Sequence, residues 1–158
     1  MIGKLVQWYD VVMSRGFDKL RSPLLLALRL IFGWGLFQTG KGKLENIDRF
    51  TDFLTHLHIP MPGFNAHFVA TLECAGGLLL LIGLASRLIA IPLTINFIVA
   101  YLTADHEALV GFFKDQEAFT SAAPFLYLLV SLIVLAFGPG LFSLDALIRR
   151  VFLRRRTA

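Results

Sequence analysis

At 158 residues the chain has the length of one domain, yet 56% of it is hydrophobic, only 16% is charged, and the mean hydropathy is +0.70. A water-facing domain carries nearer ~25% charged residues, so an ordinary soluble fold is excluded. The single cysteine, Cys74, excludes an internal disulfide and every paired-cysteine metal or redox motif.

The apolar residues fall in four blocks that predict an all-α integral membrane four-helix bundle, residues 1–158 forming one membrane domain. Residues 1–22 come first. Leu5, Tyr9, Val12, Met13 and Leu20 recur at helical spacing, with Lys4, Gln7, Asp10, Ser14, Asp18 and Arg21 opposite them. That pattern predicts an N-terminal interfacial amphipathic helix. Charges are scattered through it and no small-residue cleavage site follows, so no cleavable signal peptide is expected. Pro23 is then expected to open the first span, about residues 23–40.

The long connection after it is not featureless. Ile47, Phe50, Phe53, Leu54 and Leu57 mark an amphipathic helix with Asn46 as its candidate cap, ended by the Pro60–Pro62 stretch. The second span covers about 66–84 and the third about 87–103, so the turn between them is short and the two helices must be antiparallel neighbours. Residues 103–123 carry Leu109, Val110, Phe112 and Phe113, which predicts a further short helix. The fourth span, about 122–138, ends at Gly138-Pro139-Gly140. Ser143 is expected to cap a last helix, with Asp145 in its first turn, in a basic tail over 143–158. Glycines at 33, 40, 76, 77 and 83 mark close helix approach.

The basic residues sort by side. Lys4, Arg15, Lys19, Arg21, Arg87 and Arg149, Arg150, Arg154, Arg155 and Arg156 fall on one face of the membrane. Lys41, Lys43, Arg49 and Lys114 fall on the other. The positive-inside rule makes the first face cytoplasmic, with both termini there and the helical loop extracytoplasmic. Nucleic-acid binding is then an unneeded explanation of a pI near 9.6; the expected partner is the lipid bilayer, with a protein partner or homo-oligomer beside it.

Two ionisable residues lie inside spans. Arg29 stands roughly 10 Å from the cytoplasmic end of its helix and Glu73 roughly 20 Å from that of its own. Each needs a partner or a wet cavity, since an isolated charge there costs at least ~2.5–3.5 kcal/mol. Two readings stay open: an Arg29–Glu73 ion pair that sets register, or a polar pocket around Glu73, with Asn96 as a further member, that binds a ligand or proton. All four histidines fall on the outer side, and His56, His58 and His106 are the candidate ligands of a copper or zinc ion.

Three motifs together resemble the DoxX family. They are Leu28-Arg29-Leu30 leading to Gly40-Lys41-Gly42-Lys43-Leu44, then Leu72-Glu73-Cys74-Ala75-Gly76-Gly77 with Gly83-Leu84-Ala85-Ser86-Arg87, and the closing Gly138-Pro139-Gly140-Leu141-Phe142-Ser143-Leu144-Asp145. The resemblance implies a small four-helix protein of the bacterial inner (plasma) membrane. It adds Lys43 and Arg87 to Arg29 and Glu73 as polar positions that match the family's. It also implies an accessory or anchor role in a redox system with quinone as the candidate cofactor, not itself catalytic. The alternatives are a small transporter or metal-stress protein gated by Glu73, and a purely structural assembly protein.

Overall fold

The computed structural model describes the backbone of residues 2–154 and the side chains of residues 20–152. Within it all the regular structure is helical, in eight segments joined by short turns. These are α1 (Ile2–Glu45), α2 (Ile47–His56), α3 (Pro62–Ile82), α4 (Ser86–Thr103), α5 (His106–Val110), α6 (Gln116–Ser121), α7 (Pro124–Phe137) and α8 (Leu144–Arg154).

Four helices close a ring in the order α1, α3, α4, α7 and back to α1. Residues 20–45 of α1, together with α3 and α4, are long and apolar enough to cross a membrane; α7 is equally apolar but shorter. At 1.5 Å per residue its 14 residues span about 21 Å, less than a ~30 Å hydrocarbon core. The outer walls are what lipid requires: Ile31, Trp34, Leu78, Leu88 and Ile95 are all exposed. Inside, Leu36 and Leu80 meet Leu93, Phe97, Val130 and Val134 in the central apolar cluster.

The α1–α3 seam is the tightest. A Cβ on Gly40 would lie 2.3 Å from the Cys74 amide nitrogen, and one on Gly77 would lie 2.4 Å from that of Phe37. Backbone thus packs on backbone, the contact expected of small residues at a helix crossing.

The helix ends show where local sequence acts. Leu84 N–H bonds to the Leu79 carbonyl and Gly83 N–H to that of Leu80, while Gly83 takes φ +69°. This is the paired bonding of a Schellman stop. Ser143 accepts from the Ala146 amide at 3.1 Å and so caps α8 as expected. Two expectations differ. Pro23 does not open a helix but lies inside α1, which continues through it at the loss of one backbone donor. Asn46 does not cap α2; its amide reaches back to the Gly42 carbonyl at 3.0 Å and fastens the last turn of α1. The amphipathic face read over residues 1–22 belongs mainly to side chains outside those described, as do the side chains of Arg154, Arg155 and Arg156.

Candidate functional site

The last turn of α1 points Lys43 at α3. Its Nζ lies 2.7 Å from each carboxylate oxygen of Glu73, a bidentate ion pair. Asn96, on α4, donates its amide to Glu73 Oε1 at 3.3 Å. Above them α2 crosses α3 and sets the Phe50 ring 4.8 Å from the Lys43 ammonium, within cation–π range. Four helices therefore contribute one residue each to a single polar node.

The two ends of the pair differ. The Glu73 side chain is 4% exposed and that of Lys43 is 31%. The carboxylate is enclosed, and the ammonium is the part that can be reached from outside. A buried carboxylate needs such partners to stay charged in an apolar wall. Chemically the node offers a hydrogen-bond donor at an accessible point with a carboxylate behind it.

Arg29 is not part of this node. It stands 14 residues earlier on α1, about 21 Å along the helix axis, so the open Arg29–Glu73 pairing is replaced by two separate arrangements. Arg29 is fully buried. Its Nε donates to the Leu25 carbonyl at 3.4 Å, and one terminal nitrogen donates to the Phe142 carbonyl in the α7–α8 connection. The other terminal nitrogen has no hydrogen-bond partner among the described residues. It lies over Gly83, where any Cβ would stand 1.8 Å from it. Close by, Asp145 reaches from α8 to the start of α4 and accepts from the Ala85 and Ser86 amides at 2.8 and 3.0 Å. This carboxylate caps α4 from α8, whose Asp145 N–H also donates to the Gly83 carbonyl of the α3–α4 turn at 3.0 Å. The signal for it was present in the closing Ser143-Leu144-Asp145, but spacing alone could not say which helix Asp145 would serve.

The histidines are not gathered. Among the described residues no group of three or more His, Cys, Asp or Glu side chains could hold a metal ion. His56 Nδ1 donates to the Asp52 carbonyl at 2.8 Å on its own helix, and His58 sits in the left-handed turn after it. His106 starts α5 beyond the other end of α4. The structure does not gather His56, His58 and His106 into one group: His56 ends α2, His58 follows it, and His106 opens α5. Phe50 is the member of the polar node that sequence reasoning placed only as an apolar helix residue.

The family model described as DoxX matches residues 24–106, which contain Arg29, Lys43, Glu73, Arg87 and Asn96. An uncharacterized protein of Haemophilus influenzae is 27% identical over 132 residues, 81% of this chain and 85% of that protein. A Bacillus subtilis protein named "Putative oxidoreductase CatD" is 30% identical over 105 residues, 66% of this chain and 70% of that protein. No solved structure matches the chain.

Proposed function

The chain belongs to the DoxX family of multi-pass membrane proteins, and from that premise we propose that it is an accessory or anchor subunit of a quinone-linked redox system. The observation that carries this reading is the Lys43–Glu73–Asn96 node, a carboxylate enclosed behind a reachable ammonium at the edge of an apolar bundle. A quinone supplies the redox chemistry when bound. The protein's part is to present the Lys43 ammonium as a donor to a carbonyl oxygen, to hold a proton at a Glu73 oxygen, and to keep bulk water away. Asn96 keeps the carboxylate aimed at Lys43 whether or not a proton is present, since its amide donates and does not titrate. The name carried by the Bacillus subtilis relative supports an oxidoreductase setting. The charge distribution supports a bacterial inner-membrane placement with both termini in the cytoplasm and α2 on the outer side.

The test is purification from native membranes in a mild detergent, with a search for stoichiometric redox partners and extractable quinone. Co-purification of a redox enzyme or of quinone is the expected result. A protein that emerges alone and quinone-free removes this reading.

A second reading is favoured by the Gly40 and Gly77 contacts. There the Lys43–Glu73 pair is a register clamp on a seam already built for backbone contact. In that case Glu73→Gln lowers thermal stability and leaves partner and quinone retention intact.

A further inference from the structure

We propose that the cleft at the opposite end of the bundle binds the phosphate headgroup of an anionic membrane phospholipid, with an acyl chain laid in the apolar groove beside it. The cleft lies between the start of the α1 span, the α3–α4 turn and α8, and measures about 790 Å³. Arg21, Arg87, Arg149 and Arg150 line it, against one acid, Asp145. That acid accepts from the Ala85 and Ser86 amides, and four guanidiniums outnumber its single charge.

Two of the arginines are held in place. Arg21 donates to the Phe137 carbonyl at 2.8 Å and stands 5.1 Å from that residue's ring, and Arg87 donates to the Ala136 carbonyl at 3.0 Å. Each spends one donor on the end of α7. A guanidinium carries five, in a planar fork matched to phosphate oxygens. The carbonyls that anchor these forks thus pre-arrange them at the end of α7, next to the Gly138-Pro139-Gly140 turn, and Arg149 and Arg150 add exposed charge from α8.

What adjoins the cleft points to the source of the phosphate. A second groove of about 290 Å³ is lined by Leu79, Leu88, Ile89, Ile91 and Pro92, and it shares Ala85 and Leu88 with the basic cleft. A free phosphate would use the arginines and have no use for the groove. A phospholipid satisfies both, head in one and chain in the other. The helix that closes the cleft fits the same setting. Leu144, Leu147, Ile148, Val151 and Phe152 of α8 are all exposed, the apolar stripe of a helix that rests at the membrane interface beside its own basic residues.

The test uses the full-length protein in mild detergent, titrated separately with dioctanoyl-phosphatidylglycerol, dioctanoyl-phosphatidylcholine and inorganic phosphate. Thermal unfolding follows each titration, and native mass spectrometry counts retained lipid. The glycerol lipid is expected to raise the melting temperature saturably and to remain bound at one per chain. The choline lipid and inorganic phosphate are expected to need at least ~10-fold higher concentration. The R149Q/R150Q double variant should melt like the natural protein without lipid and need roughly 10- to 30-fold more phosphatidylglycerol. Equal response to the two lipids overturns the proposal, as does a phosphate response that matches the lipid's, or an unshifted titration of the double variant. The headgroup series on the natural protein decides the matter even if the double variant folds poorly.

Discussion

Lys43 Nζ stands 2.7 Å from both oxygens of Glu73, and the carboxylate is enclosed while the ammonium is one-third exposed. This asymmetry has a direct energetic consequence. If Lys43 is removed, the carboxylate stays in an apolar wall with only Asn96 beside it. If the Glu73 charge is removed, the ammonium can turn toward water or headgroups.

Lys43→Met is therefore expected to cost more stability than Glu73→Gln. Stranding a buried charge costs about 3–5 kcal/mol; loss of a charge-assisted bond whose other partner can resolvate costs roughly 1–2 kcal/mol. The Lys43→Met/Glu73→Met double variant, with no charge to strand, should recover most of the loss. Reversible unfolding in detergent checks the order; equal costs for the two single changes would contradict it.

Gly83→Ala tests the other polar arrangement. Gly83 has φ +69°, where an L side chain is strained, and its Cβ would collide with the Arg29 guanidinium. The strain and the overpacking together are expected to remove roughly 2–5 kcal/mol. Gly42→Ala is the matched control on α1, since no atom lies within 4 Å of its added carbon. There the helix should be unchanged or more stable by about 0.5–1 kcal/mol.

Asp145→Asn should lower stability by about 1–2 kcal/mol, since an amide has only one oxygen to replace two that accept from Ala85 and Ser86. Hydrogen exchange offers the sharper readout. Faster exchange is expected first at the Ala85 and Ser86 amides, 60 and 59 residues away in sequence. Fraying confined to α8 would instead mean that Asp145 serves its own helix.

Much of this fold is legible in the chain because lipid imposes one strong rule. Long apolar runs must be helices, and charges within them must find partners. The runs around Leu36, Leu80 and Leu93 give the bundle, and Glu73 stands out as a charge in an apolar block. The identity of its partner was not legible from depth alone. Arg29 is the other charge within a span, but a guanidinium can donate to backbone carbonyls, and here two of its nitrogens use Leu25 and Phe142. Lys43 stands out as a pocket residue only through the Gly40-Lys41-Gly42-Lys43 motif, because the apolar run ends near Gly40 while α1 continues to Glu45. The cap of α4 by Asp145 and the packing of Phe50 on Lys43 depend on tertiary placement, which no local spacing encodes.

Quinone retention reports most sharply on whether the Lys43–Glu73 node serves a quinone-linked redox system. Natural protein and the Glu73→Gln variant are purified side by side from native membranes, matched for folding by their unfolding curves, and extracted for quinone. The expected result is near-stoichiometric quinone in the natural protein and at least a ~10-fold loss in Glu73→Gln. Equal quinone in the two, or none in the natural protein, would contradict the claim.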